Sequence, residues 1–339
     1  MKLKEFSQKL GLSPTTVSRA LNGYPEVSKD TRDRVQLAAQ HYDYMPNSRA
    51  KRLATGRAMS IGHLLPLSKE HEMVNPIFSD FLAGAGERYT QSGYDLQLSV
   101  VHDEDEEAAY REIAQRGDVD GIVLHGPKVN DPRIAIVSEL GLPFVVHGRS
   151  SEVQADYNWV DVNNKRAFQR ATDFLLDLGH RRIALVNGNA DMDFASRREA
   201  GFREALCNRG VTAHPALMSN AEMTEPYGYE TVKRLMQGPT PPTAIMVSSI
   251  IPAIGARRAF GDLSLQPGRD VSLLIHDDDL SYFRNQGDIP IYTSVRSSVR
   301  AAGFAAANML LQKIDAPDTT PRNILLEADL IVGQSTAPA

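Results

Sequence analysis

Leu10-Gly-Leu-Ser-Pro-Thr-Thr-Val-Ser-Arg-Ala-Leu-Asn-Gly-Tyr24 decides how this chain begins. Gly11 ends a short helix, Ser13 caps the next, Pro14 stands in its first turn and Gly23 closes it. Serine at a helix start accepts a bond from an orphan amide, and proline there gives up an N–H that has no helical partner. Two short helices joined by a tight glycine turn make a helix-turn-helix unit. The second helix carries Val17, Ala20 and Leu21 on its inner side and Thr15, Thr16, Ser18 and Arg19 on its outer side. A core-facing helix needs one apolar side, so the polar side is free to lie in a DNA major groove.

Working outward, Leu3, Phe6 and Leu10 are spaced for one face of a first helix over Leu3 to Lys9. A third helix is expected from about Lys29 to Tyr42, capped by Ser28, with Val35, Leu37, Ala38 and Ala39 as its apolar side. In the groove, Pro14, Thr15 and Arg19 would reach base edges. An arginine bridging guanine O6 and N7 discriminates by ~1–3 kcal/mol. Thr16 and Ser18 are better placed for phosphate, which positions without reading sequence. Ser13 and Asn22, at the two ends of the helix, complete this expected contact set. In the following Tyr44-Met-Pro-Asn-Ser-Arg-Ala-Lys-Arg-Leu-Ala-Thr-Gly-Arg57, Asn47 could cap a short basic helix that Gly56 ends. Asn47, Arg49, Ala50 and Leu53 are its expected DNA contacts. Leu53 either wedges between base steps in the minor groove or packs on protein.

The chain has 339 residues, 42% of them hydrophobic and 23% charged, which is the composition of a soluble globular protein with more than one core. No apolar run is long enough to span a bilayer, and no signal-peptide pattern opens the sequence. The lone Cys207 rules out an intrachain disulfide, reads as a small buried hydrophobe rather than a nucleophile, and fits a reducing, cytoplasmic setting. The net charge of −5 hides an asymmetry. Residues 1–57 carry eleven Lys and Arg against five Asp and Glu, and the remainder is acidic. A basic head on an acidic body points to a head that alone meets a polyanion.

From residue 60 onward apolar runs alternate with amphipathic stretches. Expected strands are Ser60–Pro66, Tyr94–Val101, Gly121–His125, Pro143–His147, Trp159–Val162, Ile183–Asn187, Ala244–Ser248, Val271–His276 and Leu325–Val332. Helical patterns fall between them, among them Phe78–Gln91, Arg166–Leu178, Phe194–Asn208, Ile250–Phe260 and Ser298–Ile314. The expected fold is a small all-α head on an α/β body of two lobes with doubly wound parallel sheets. The expected divisions are a helix-turn-helix domain over 1–45, a hinge helix and linker over 46–59, and an effector-binding and dimerisation body over 60–339.

Open parallel sheets bind ligands at the carboxyl ends of their strands. Polar groups there are the effector candidates: His125, His147 with Arg149, Asn187, Ser249 and Asp277. Phe78 is the first choice as a flat platform for a sugar face. His147 reads equally as a satisfied strand-end histidine. No complete dinucleotide or phosphate loop, metal constellation or nucleophile elbow appears, so no cofactor, metal or catalytic role is expected.

Ser13-Pro-Thr-Thr-Val-Ser-Arg-Ala-Leu-Asn22, Tyr44-Met-Pro-Asn47, Ala50-Lys-Arg-Leu-Ala-Thr-Gly-Arg57 and Ile61-Gly62 together resemble the lactose-repressor/galactose-repressor family of bacterial transcription factors. The resemblance extends over nearly the whole chain. It implies a homodimer on double-stranded operator DNA, Leu53 as the minor-groove wedge, and a body like periplasmic sugar-binding proteins with the effector between the lobes. It matches Arg198, in Arg198-Glu-Ala-Gly-Phe202, to an effector-holding arginine and Asp277 to an acidic effector ligand. The chain departs from the family at Ser249-Ile250, where an Asn-Asp pair is usual, and at Gly148, where an acid is usual. His147-Gly-Arg149 resembles regulators of α-glucoside operons. The short tail Gln334-Ser-Thr-Ala-Pro-Ala339 carries no heptad, which points to a dimer. Sugar as inducer, a small molecule as corepressor, and a sugar-binding protein without DNA function stay open at this point.

Overall fold

The computed structural model describes residues 1–21, 24–44, 56–66, 75–101, 105–285 and 287–339. The chain forms two compact units, Met1–Met59 and Ser60–Ala339.

In the first unit, helices α1 (Leu3–Leu10), α2 (Pro14–Leu21) and α3 (Lys29–His41) enclose Phe6, Val17, Ala20, Val27, Val35 and Tyr44. Gly11 takes a left-handed φ of 64°, which turns its own amide and that of Leu12 back onto the Gln8 and Ser7 carbonyls. Ser13 Oγ accepts the Thr16 amide at 3.0 Å, and Ser28 Oγ accepts the Thr31 amide at 3.4 Å, so both caps expected from sequence form. Tyr44 stacks on Phe6 with ring centroids 4.2 Å apart. The expectation for Leu37 needs correction. It is 67% exposed, because it stands about 200° around α3 from Val35. Gly23 and the proposed hinge helix lie outside the described residues.

The second unit holds two lobes. The first is built from β1 (Ser60–Pro66), α4 (Pro76–Gln91), β2 (Asp95–Val101), α5 (Glu106–Arg116), β3 (Gly121–His125), α6 (Pro132–Glu139), β4 (Phe144–His147) and β5 (Trp159–Val162). The second follows with α7 (Asn164–Asp177), β6 (Ile183–Asn187), α8 (Asp193–Asn208), β7 (Met218–Asn220), α9 (Glu225–Met236), β8 (Ala244–Val247), α10 (Ile250–Asp262), β9 (Ser272–Asp277) and β10 (Thr293–Arg296). The chain then returns through α11 (Val299–Asp315) and β11 (Asn323–Leu326) to the first lobe and ends with β12 (Asp329–Ile331) in the second. The sheet orders are β11-β5-β4-β3-β1-β2 and β12-β10-β9-β8-β6-β7. Every pairing is parallel except β10 with β12. In each lobe the winding reverses beside the first strand, between β1 and β3 and between β6 and β8. Open sheets leave a crevice for ligands at such a reversal.

Glycines set the helix pairs. A Cβ on Gly303 would stand 2.1 Å from the Phe81 carbonyl oxygen, and one on Gly84 2.0 Å from that of Arg300. Helices α4 and α11 therefore cross backbone to backbone, and α11 is held in the first lobe although it leaves the second. Gly228 and Gly255 do the same where α9 meets α10.

The expected last strand, Leu325–Val332, is two strands in two lobes. β11 pairs with β5 and β12 with β10, and the chain crosses at Glu327 and Ala328. The alternating pattern runs unbroken through the crossing, so periodicity alone reads it as one strand. β7 and β10 have no counterpart among the expected strands. β7 is three residues long, and β10 is mostly polar, with the buried Thr293 amide bonded to Ser335 Oγ at 2.9 Å. Cys207, expected to be buried, is exposed in the last turn of α8. Among the described residues no helix is long and apolar enough to cross a membrane.

Candidate functional site

On the head, α2 turns Val17 and Ala20 inward and leaves Pro14, Thr15 and Arg19 exposed. Ser13 is exposed as well, and its Oγ caps the helix and lies 2.8 Å from Thr16 Oγ1. Ser18 is half-buried. The outer edge of α2 therefore offers one long cation and short polar side chains near its N-terminus. A recognition helix uses that end on base edges. Asn22, Asn47, Arg49, Ala50 and Leu53 lie outside the described residues.

In the body, strand ends from both lobes meet. From the first lobe come His125 at the end of β3 and His147 at the end of β4, with ring centroids 5.9 Å apart. Phe81 stacks under His147 at 4.2 Å, and Phe78 meets His125 edge-on at 4.9 Å. Phe78 is thus a buried wall rather than an open platform. His125 Nε2 lies 2.9 Å from Nδ1 of His63 on β1, whose Nε2 lies 3.2 Å from Tyr89 Oη. Burial holds His63 down to about 3 and His147 down to about 4, in the second case against the pull of Asp278. Both rings are neutral near neutral pH. Among the described residues no three His, Cys, Asp or Glu are arranged to hold a metal ion.

From the second lobe comes Arg198 on α8, buried between the faces of Phe168 and Phe194 at 5.1 and 4.9 Å. Its Nε donates to Asn164 Oδ1 at 2.8 Å and its Nη1 to the Ser248 carbonyl at 2.5 Å. Burial lowers the guanidinium to about 10, opposed by the carboxylates of Asp278 and Asp161. Asn187, at the end of β6, is bonded to protein through both ends of its side chain: its amide donates to the Ala195 carbonyl at 2.9 Å, and its Oδ1 accepts from Ser248 Oγ at 2.7 Å. Ser249 is buried and caps α10 through the Ile251 amide at 3.3 Å. Arg149 donates to Asp161 Oδ2 at 2.9 Å and lies over Trp159. Burial raises Asp161 to about 6 despite that partner.

Asp277 and Asp278 differ sharply. Asp277 accepts from Arg296 Nε at 3.1 Å on one oxygen and from the Asp279 amide at 2.9 Å on the other. Asp278 lies 3.3 Å from His276 Nδ1 through Oδ1, while its buried Oδ2 has no hydrogen-bond partner among the described residues.

The lobes touch on both flanks of these strand ends. Asp80 on α4 accepts from both the amide and the hydroxyl of Ser281, each at 2.7 Å. On the other flank, Asp193 accepts the Ser151 amide at 2.8 Å, and the Val129 amide donates to the Asp191 carbonyl at 2.9 Å. Asp278, His63, Asp161 and Asp80 were not among the residues singled out from sequence. The one signal for His63 was a histidine inside an otherwise apolar strand.

Two family models match the chain: bacterial regulatory proteins of the lacI family over residues 2–47, and a periplasmic binding protein-like domain over residues 172–336. The HTH-type transcriptional regulator AglR of Rhizobium meliloti (strain 1021) is 43% identical over 99% of this chain and 94% of its own length. A solved complex of the transcriptional regulator CelR with cellobiose aligns with a TM-score of 0.73 at 26% identity, covering 99% of both chains. The lac repressor dimer bound to operator and an anti-inducer aligns with a TM-score of 0.81 at 24% identity over 99% of both chains, a likeness of fold.

Proposed function

This chain belongs to the lacI family of bacterial regulatory proteins, and from that membership we propose a sugar-responsive repressor that grips operator DNA as a homodimer. Residues 1–45 form the DNA-reading domain, 46–59 the hinge and 60–339 the effector receptor. Pro14, Thr15 and Arg19 read bases. Thr16, Ser18 and the basic segment that follows hold phosphate and the minor groove. A neutral disaccharide of the α-glucoside type enters between the lobes, where Arg198, His147 and the 277–278 acidic pair meet. DNA as the target places the protein in the cytoplasm.

The observation that carries the reading is the joining of two features in one chain. An exposed polar edge on α2 is followed by a two-lobed receptor whose strand ends gather buried ionisable groups from both lobes, neutral His147 from the first and charged Arg198 from the second. A ligand shifts such a receptor only through its difference in affinity between the two states. The test is fluorescence anisotropy on promoter fragments with maltose, trehalose, sucrose and cellobiose. Sugar is expected to weaken operator binding, and operator to weaken sugar binding by the same factor. No preference for any promoter fragment over random duplex, with or without sugar, would overturn the repressor reading. Tighter operator binding on adding sugar would reverse its sign to corepression.

A further inference from the structure

We propose that one flank of the cleft is a gate: residues 127–129 of the first lobe and 191–193 of the second pair as a short strand bridge that holds the lobes shut, and the effector enters and leaves when that bridge parts. This rests on the cleft being the effector site, as proposed above.

The bridge is made of main chain. The Asp193 amide donates to the Pro127 carbonyl at 3.0 Å and the Val129 amide to the Asp191 carbonyl at 2.9 Å, with Lys128 and Met192 facing each other between them. The first-lobe side is braced from behind, where the Val129 carbonyl accepts the Glu152 amide at 3.0 Å and the Ser150 hydroxyl at 2.7 Å. Asp193 adds its carboxylate, which accepts the amide of Ser151 at 2.8 Å and also its hydroxyl. Met192 packs over Gly126, where a Cβ would stand 2.9 Å from its terminal methyl. The opposite flank differs in kind. There the bonds are made by the Asp80 side chain, which a change of rotamer releases. Main-chain pairs between two lobes part only when the lobes themselves move.

Sheet order places the bridge where that motion is largest. Two of the chain's crossings join the second sheet at β10 and β12, along one edge. The bridge hangs from β6, three strands further across the sheet than β10, roughly 14 Å away at the usual strand spacing. Lobes that pivot at the crossings therefore separate most at the bridge. The segments that meet also continue the elements that face the cleft. Residues 127–129 follow His125 on β3, and Asp193 opens α8, the helix of Arg198. Gly148, next to His147, packs on Pro127 so closely that a Cβ would stand 2.8 Å from its Cδ. Arg133 pins the loop to its own lobe, donating to the carbonyls of His125 at 3.1 Å and Gly126 at 3.2 Å and pairing with Asp131 at 2.7 Å. The loop thus travels with its lobe, and the bridge breaks as a unit. Association that has to wait for such a change is slowed by it.

Lys128 and Met192 offer the test. Facing residues of an antiparallel pair that do not bond each other have Cα atoms about 4.5 Å apart, within the span of a disulfide. The full chain carrying Cys207→Ser, Lys128→Cys and Met192→Cys is oxidised without sugar. Uptake of labelled maltose, trehalose, sucrose and cellobiose is then timed by rapid filtration. The disulfide should form in most molecules. The oxidised chain should take up its sugar at least about a hundredfold more slowly than the same chain reduced, and dithiothreitol should restore the rate. No disulfide in the absence of sugar, or equal uptake by oxidised and reduced chains, overturns the gate and leaves the sugar-responsive reading intact. If the reduced chain binds none of the four, the sugar reading falls, and the gate is decided by adding His147→Cys and timing modification by a maleimide dye. The thiol at position 147 should react at least about tenfold more slowly in the oxidised chain than in one carrying Cys207→Ser and His147→Cys alone; equal rates overturn the gate. Should the cysteine pair fail to melt cooperatively, Asp193→Ala replaces it with the sign reversed. Uptake, or modification of the same thiol, should then quicken by about tenfold, and an unchanged rate overturns the gate.

Discussion

Single side chains divide here into those that build the cleft and those left open to a partner. Asn187 and Ser249 stand where sequence places ligand groups, yet their polar atoms close on protein. Their neighbours Arg198 and Asp278 carry the charge. The histidines add a pH dependence whose sign follows from their burial. His63 and His147 sit near 3 and 4 in the folded chain against 6.5 as the ordinary value. The unfolded chain therefore binds more protons below about pH 6.5, and stability drains away as pH falls from there toward 4. Each depressed histidine contributes a slope of about 1.4 kcal/mol per pH unit inside that window. Asp161, raised to about 6, has the opposite sign between its ordinary 3.8 and 6 and offsets one histidine. Urea unfolding at pH 7.5, 6.5, 5.5 and 4.5 should show a falling midpoint that His147→Asn flattens and Asp161→Asn steepens. On the head, Arg19→Ala should reduce operator preference over random duplex by about tenfold to a hundredfold, with a much smaller loss on random duplex. An equal loss on both would assign Arg19 to phosphate instead.

Elements carry the next level of argument. Helices α4 and α11 lie so close that Gly303→Ala would drive a Cβ into the Phe81 carbonyl. Backbone cannot swing aside as a flexible side chain does, so at least about 1–3 kcal/mol of stability should be lost. The measurement is the unfolding midpoint in urea. An unchanged midpoint would mean that the two helices can part freely. Much at this scale is legible in sequence. The strand-helix alternation yields both sheets, and β1, β3, β5 and β6 fall where the apolar runs place them. The serine caps of α2 and α3 are readable for the same local reason. Nonlocal choices are not. Nothing in Leu325–Val332 marks the point where one strand leaves the first lobe and the next joins the second. Likewise a run of three aspartates holds no periodicity that separates Asp277, paired to an arginine 19 residues on, from Asp278. Partners distant in sequence decide both, and only the folded chain brings them together.

The receptor as a whole is a two-state device if its lobes can part, and its flanks show what holds them. Asp80 bridges to Ser281 on one side, and Asp193 to Ser151 on the other. The segment that carries Asp278 also carries Ser281, so the Asp80 contact ties that carboxylate to the lobe that holds His147. Parting the lobes breaks these bonds, and hydrogen bonds to a charged group are worth about 1.5–3 kcal/mol each in a protein. Asp80→Ala removes two of them at once without touching Arg198, His147 or either of the paired aspartates. Water can replace one partner in the open state, because Ser281 is exposed. The expected result is a shift toward the open form by about tenfold or more. Small-angle scattering of the full chain should then show a larger radius without sugar, and calorimetry a weaker apparent sugar affinity by the same factor. Saturating sugar should restore the wild-type radius, since a ligand that favours the closed form recovers the population at the expense of affinity. An unchanged radius and unchanged affinity would show that the Asp80–Ser281 pair follows closure rather than holding it.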